Sequence, residues 1–180
     1  MVKITLASSN AKKIKELKFL LEPEFEVEIR QAEYPEIQHD DPCAISLSAA
    51  KAVCEKLNRL VIVEDSGMHV DALNGFPGTM TKPVYSLIGN EGILKLMKGI
   101  KNRKAKYKSA VAICKPGKKA ICFLGEEEGT IAQSIRGNGW GQDPIFIPKG
   151  SRKTYGEEPP KNFHPYREDA VKKLKAYFFK

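Results

Sequence analysis

Residues 61–78 read Val-Ile-Val-Glu-Asp-Ser-Gly-Met-His-Val-Asp-Ala-Leu-Asn-Gly-Phe-Pro-Gly. The apolar run Leu60 to Val63 predicts a buried strand that stops at two carboxylates, Glu64 and Asp65, followed by Ser66 and Gly67. Adjacent side chains on a strand face opposite ways, so one acid can face a cleft while the other is tied into the scaffold. Ligands of open α/β sheets bind beyond the carboxyl ends of strands, where this pattern puts Asp65. An acid so placed is a ligand for a hard cation, a general base, or both. Asp-Ser-Gly is equally good turn chemistry, and Asp caps helices, so the stretch alone leaves both readings open.

Working outward, Val2 to Ala7 predicts a strand, Ser8-Ser9-Asn10 a helix start, and Ala11 to Leu21 a helix with an apolar face. Phe25, Val27 and Ile29 alternate with charges as in a half-exposed strand, and a polar loop runs to Asp41-Pro42. Cys43 to Leu60 predicts a helix, and Asn90 a cap for a short helix, Glu91 to Lys98. Tyr107 to Lys115 and Lys119 to Leu124, split by Pro116-Gly117, predict a hairpin, with a further strand from Glu126 to Gln133 after Gly125. Gly137 to Gly141 is a glycine-rich loop before the apolar run Ile145 to Ile147, and Glu168 to Lys180 predicts a closing helix. Helices and strands alternate early and strands dominate the middle. The expectation is an α/β fold with a mixed sheet in two lobes, one domain over residues 1–180, without repeats or linkers.

A content of 42% hydrophobic and 29% charged residues is that of a globular chain, and no apolar run reaches the roughly 18 residues of a membrane helix. The amino end enters a strand without a signal peptide's long apolar region, which predicts a cytoplasmic protein. Cys43, Cys54, Cys114 and Cys122 form no Cys-x-x-Cys pair and predict buried thiols rather than zinc or disulfides. A net charge of +8 suits a polyanionic ligand, either nucleic acid or a nucleotide with several phosphates, although solvated lysine faces account for it equally well.

Four further segments have chemical potential. Ser8, Ser9 and Asn10 precede a helix whose first turn bears Lys12 and Lys13, a donor-rich amino end suited to phosphate or an ordinary cap with surface lysines. Glu36 lies in a polar loop, and with Asp65 it would complete the one or two carboxylates that Mg²⁺ takes from protein. Trp140, the only tryptophan, sits between glycines in Gly139-Trp140-Gly141-Gln142-Asp143, as a stacking platform for a base or as a lid on the core. Lys161, His164, Tyr166 and Arg167 precede the last helix; Arg167 suits a purine edge or a helix start, and His164 reads as a surface loop residue.

Together these segments resemble the inosine triphosphate pyrophosphatase family, the house-cleaning nucleoside triphosphate pyrophosphatases, over nearly the whole length and in the same order. Ser8-Ser9-Asn10-Ala11-Lys12-Lys13 is similar to its phosphate motif. Glu64-Asp65-Ser66-Gly67, Val70-Asp71-Ala72-Leu73 and Gly75-Phe76-Pro77-Gly78 are similar to its central block, and Trp140-Gly141-Gln142-Asp143-Pro144 to its base loop. The resemblance implies an elongated, mixed, twisted sheet flanked by helices, with two lobes around a central cleft, and a homodimer. It implies Mg²⁺-dependent hydrolysis of ITP, dITP and XTP to the monophosphate and pyrophosphate, without a stable nucleic-acid complex or membrane association.

By the same resemblance Asp65 is base and metal ligand and Glu36 a second ligand. Ser8, Ser9, Asn10, Lys13, Ser66 and Lys82 hold phosphates, Lys13 also serving catalysis, and Trp140, Gly141, Gln142, Asp143, Lys161, Tyr166 and Arg167 frame the base. The family's Ser-His-Arg stands here as Pro165-Tyr166-Arg167, its second base-loop aromatic as Gln142, and an acid of its second helix is replaced near Ser46. Two rival classes are a pyrimidine-directed pyrophosphatase of the septum-formation inhibitor type and a non-catalytic nucleic-acid or nucleotide-binding module. The last predicts salt-dependent single-strand binding.

Overall fold

The computed structural model describes residues 2–179. Six strands form one sheet in the order β2-β1-β3-β4-β5-β6: β1 (Val2–Ala7), β2 (Phe25–Arg30), β3 (Val61–Val70), β4 (Lys104–Cys114), β5 (Ile121–Ile131) and β6 (Phe146–Pro148). β1 pairs in parallel with β2 and β3, while β5 and β6 are antiparallel, so the sheet is mixed as expected. Four helices accompany it: α1 (Ala11–Leu21), α2 (Pro42–Leu57), α3 (Thr81–Leu96) and α4 (Pro165–Phe178). None of the described helices is long and apolar enough to cross a membrane. The chain divides into two compact units, the first of residues 1–65, 109–125 and 162–180, the second of residues 66–108 and 126–161.

In the first unit the period-2 alternation of the strands decides which helix each residue meets. Ile4, Leu6, Ile62, Val111 and Ile113 share a core with Leu17 and Leu21 of α1 and Val171 and Leu174 of α4. Val61, Val63, Ala112 and Cys114 join a second cluster with Ala49, Ala50 and Val53 of α2. Both faces of these strands are thus covered, which is why they read as continuous apolar runs. Local caps fix the helix starts: Asn10 Oδ1 accepts from the Lys12 and Lys13 amides, and Asp41 Oδ1 from the Cys43 amide with Pro42 at the first position. In the second unit, Tyr107 packs edge-on against Phe146, which lies over Tyr155. Arg103 bridges the carbonyls of Met97, Ile131 and Ala132.

Several expectations need correction. β3 does not stop at Val63 but continues to Val70, so Asp65-Ser66-Gly67 is strand and not a turn. Asp65 nevertheless lies past the point where β1 ends, since the β1–β3 pairing is Thr5 with Val61 and Leu6 with Ile62. Gly125 does not separate two strands: β5 runs through it, because α4 packs there so closely that a Cβ would lie 2.0 Å from the Tyr166 carbonyl oxygen. The short helix after Asn90 is the second half of α3, broken at Gly89 (φ 61°, ψ −165°), and α2 ends at Leu57 with Asn58 in a left-handed conformation. α4 begins at Pro165, ahead of Glu168, and the expected terminus at Lys180 lies outside the described residues. Cys43 and Cys122 form a disulfide tying the first turn of α2 to β5, with Cα atoms 5.8 Å apart. Their 79-residue separation gave no local sign of pairing, whereas Cys54 and Cys114 are buried free thiols as expected.

Candidate active site

The alternation that builds the first unit's core carries on into its chemistry. Glu64 has the parity of Ile62 and points to the α1/α4 side; Asp65 has the parity of Val61 and Val63 and belongs to the α2 side. Glu64 meets Lys13 of α1, Nζ to Oε2 being 2.9 Å, and the same Nζ donates to the Glu64 carbonyl at 3.4 Å. Its Oε1 accepts from Ser109 Oγ at 2.7 Å and Arg167 Nε at 3.2 Å. Arg167 Nη1 reaches Glu16 Oε2 at 2.8 Å, and Glu16 also accepts from the His164 backbone amide at 3.0 Å and contacts its Nδ1 at 2.9 Å. A buried chain of alternating basic and acidic side chains therefore runs Lys13, Glu64, Arg167, Glu16, His164, anchored on α1, β3 and the start of α4. The Arg167 side chain is 0% exposed and that of Glu64 1%.

Charges this deep persist only when paired. Burial alone would raise the Glu64 carboxyl, but Lys13, Arg167 and hydrogen bonds from Lys13 and Ser109 outweigh it and hold it at about 2. Glu16 is likewise held at about 2, its burial opposed by His164 and Arg167. Burial acts to lower the proton affinity of Arg167, and Tyr166, Glu64 and Glu16 reverse this, keeping it cationic. Both folded-state carboxyl pKa values lie below the ordinary 4.5. Their stabilisation is thus complete above that pH and is lost as pH falls from about 4.5 toward 2. For Glu64 this is on the order of 3 kcal/mol. Urea midpoints should fall steeply over that window, and Glu64→Gln should flatten the dependence; a flat wild-type profile would show that the cluster contributes nothing.

On the opposite side of β3, the half-buried Asp65 shares its surroundings with the loop bearing Tyr34 and Glu36. The Tyr34 hydroxyl is pushed up by burial and by the fields of Glu36, Asp65 and Glu64. Among the described residues no set of three or more His, Cys, Asp or Glu forms a ready-made metal cage. One or two carboxylates are nonetheless what Mg²⁺ takes from protein when phosphates and water fill its remaining positions, and Glu36 and Asp65 have that donor chemistry.

In the second unit, Gly67 has no room for a side chain: an added Cβ would lie 2.0 Å from the Gly78 carbonyl oxygen and 2.9 Å from Thr81 Oγ1. Thr81 Oγ1 donates to Gly78 O at 2.6 Å and accepts from the Met68 amide at 2.9 Å, fastening residues 75–78 over β3. Gly67→Ala should cost about 3 kcal/mol by overpacking against backbone. Chemical denaturation measures it, and a loss below about 1 kcal/mol would mean that the loop yields. Elsewhere in this unit Trp140 is exposed while Gln142 and Asp143 are buried. Asp143 Oδ2 accepts from the Trp140 amide at 3.1 Å and so ties the loop.

Of the residues singled out in the sequence, the first unit brings together Lys13 and Arg167 through Glu64, while Asp65 and Glu36 are linked only by the fields both exert on Tyr34. Ser8 Oγ accepts from the Asn10 amide, Asn10 caps α1, and Ser9 is exposed. Tyr166 and Arg167 lie in the interior, the guanidinium 4.9 Å from the Tyr166 ring centre, and Arg167 is engaged by two glutamates rather than presented at an open edge. Lys161 is exposed in the second unit. Ser66, Lys82 and Trp140 to Asp143 belong to the second. The sequence reading missed Glu16 and Ser109 and took His164 for a surface residue, though it is 1% exposed. The available signal was Glu16 one turn after Lys13, on the face of α1 that also bears Leu17 and Leu20.

This sheet, with carboxylates on both faces of its third strand and a lysine at a capped helix start, defines a nucleotide-hydrolase type of scaffold. The chain belongs to the Ham1 family, whose profile matches residues 4–177. It is 43% identical to a dITP/XTP pyrophosphatase of Pyrobaculum aerophilum, covering 98% of this chain and 96% of that one. It is 40% identical to a dITP/XTP pyrophosphatase of Korarchaeum cryptofilum, covering 97% and 95%. Among solved structures it is similar to the Staphylococcus aureus Ham1 protein (TM-score 0.85, 26% identity, 98% of each chain). A HAM1 protein from Coxiella burnetii shares the fold (TM-score 0.88, 23% identity, 99% of each chain).

Proposed function

We propose that this protein hydrolyses non-canonical purine nucleoside triphosphates, ITP, dITP and XTP, to the monophosphate and pyrophosphate in the cytoplasm. The observation that carries the proposal is the split of adjacent carboxylates across β3: Glu64 is locked by Lys13 and Arg167, while Asp65 has the parity of Val61 and Val63 on the other face. The names of the similar proteins supply the substrate class.

Asp65 orients a water for attack on the α-phosphorus, and the bond from that phosphorus to the bridging oxygen of the β-phosphate breaks. A Mg²⁺ ion held by Glu36 and Asp65 would neutralise the triphosphate and align it. Lys13, Ser8 and Asn10 at the positive end of the α1 dipole take up charge that gathers on the departing pyrophosphate. Arg167 acts at one remove, holding Glu64 and through it Lys13. The exposed Trp140 indole offers a face for a base, with Gly141 to Asp143 setting its angle. Ser66, Lys82 and Lys161 are assigned no step. A second copy of the chain is the proposed partner, for which the second unit has an apolar surface of Phe76, Met80, Tyr85, Leu87 and Ile88, Leu87 being 82% exposed.

Pyrophosphate release with ITP, XTP, GTP, ATP and UTP, with Mg²⁺ and with a chelator, tests the proposal. Preference for ITP and XTP over ATP should be about 10²-fold or more, since a site built to hydrogen-bond one base edge rejects the other. Comparable kcat/KM for ATP and ITP would overturn the purine reading, and hydrolysis undiminished by chelator the metal.

A further inference from the structure

Asn90 is buried, 6% exposed, and directly follows the break in α3 at Gly89. Its Nδ2 donates to the Gly141 carbonyl oxygen at 3.0 Å, 51 residues further along the chain. Its Oδ1, also buried, accepts no hydrogen bond among the described residues. A half-satisfied buried amide is costly, so the one bond it makes needs a reason beyond filling space.

The receiving loop supplies that reason. Gly141 has φ +57°, a left-handed conformation that favours glycine, and an added Cβ would meet nothing within 4 Å, so no side-chain packing at that position fixes the turn. Within the loop, the Asp143 amide donates to Trp140 O at 3.1 Å and Asp143 Oδ2 accepts from the Trp140 amide at 3.1 Å. Those bonds close the turn on itself; Asn90 attaches it to α3. The break at Gly89 immediately precedes Asn90, which therefore stands at the start of the second half of α3.

We propose that Asn90 is a specificity-determining positioning residue: its amide holds the Gly141 peptide, and hence the exposed Trp140 indole, in the orientation that receives a purine base. The inference rests on the proposed reading of the Trp140 loop as the base platform. It predicts an effect on base choice and nucleotide affinity, with the hydrolytic step untouched.

Asn90→Ala and Asn90→Leu test it, the leucine keeping most of the volume and losing the donor. In both, kcat/KM for ITP should fall about tenfold through KM, the effect of one buried hydrogen bond, while kcat for ATP stays within about twofold. Trp140 is the sole tryptophan, so its emission reports the loop directly: anisotropy should drop in both variants, and quenching by ITP in chelator should need about tenfold more nucleotide. Thermal unfolding identifies any variant that fails to fold, and the Leu variant, nearer in volume, keeps the test alive if Ala does so. Unchanged ITP/ATP ratios and unchanged anisotropy in folded variants overturn the inference alone. A wild type that treats ITP and ATP alike overturns the base-platform reading and the inference with it.

Discussion

Asp65→Asn should lower kcat for pyrophosphate release by about 10²- to 10⁴-fold, the usual cost of a lost general base. The side chain is nearly isosteric and sits past the end of β1, half-buried, so the fold should tolerate the change. The amide keeps one oxygen for a metal but has lost the charge that holds it, so the Mg²⁺ concentration for half activity should rise as well. Triphosphate binding by way of Lys13 should survive. Steady-state kinetics at several Mg²⁺ concentrations, with a binding measurement alongside, separates these effects. Near-normal turnover would remove Asp65 from the chemistry.

The second large effect belongs to Arg167. Removing it leaves Glu16 and Glu64 buried with their shared cation gone, and breaking a buried pair in this way costs about 3–5 kcal/mol. Arg167→Ala should therefore lower the urea midpoint strongly at pH 7. It should also shift the acid transition upward, because burial, now less opposed, raises both carboxyls from about 2. The double variant Arg167→Ala with Glu16→Gln should recover part of the loss, since a neutral amide no longer needs the cation. A single variant within about 1 kcal/mol of wild type would show that the guanidinium is dispensable to the fold.

Much of this architecture was legible in the sequence where local rules decide. β1 and α1 were read with their observed limits because a β-branched run met an Asn cap that the structure retains. The reading failed where a distant element overrides local preference. Glu64-Asp65-Ser66-Gly67 has the composition of a turn, yet it stays extended because Ser109, Arg167 and Lys13 satisfy Glu64 and residue 78 needs the space at Gly67. Gly125 reads as punctuation and is in fact the clearance for α4. The site divides in the same way. Asp65 and Lys13 could be picked out by residue type and position, whereas Glu16 and His164 acquire meaning only through each other, across 148 residues of chain. The Cys43–Cys122 bond is the same kind of event, set by the closeness of α2 and β5 rather than by spacing.

The ion pair between Lys13 and Glu64 has one more consequence. A lysine free in solvent samples many rotamers, and an anion that captures it must pay for that lost freedom, up to about 2 kcal/mol. Here the ammonium is fastened at 2.9 Å to a strand residue, with its side chain only 16% exposed. The disorder has already been removed by folding. On the proposed reading of Lys13 as a phosphate ligand, an arriving phosphate would meet a charge already in place and would draw it from one oxygen anion to another. Shortening this residue to ornithine, or exchanging it for arginine, should therefore be felt as misplacement of a fixed charge more than as a change in its strength.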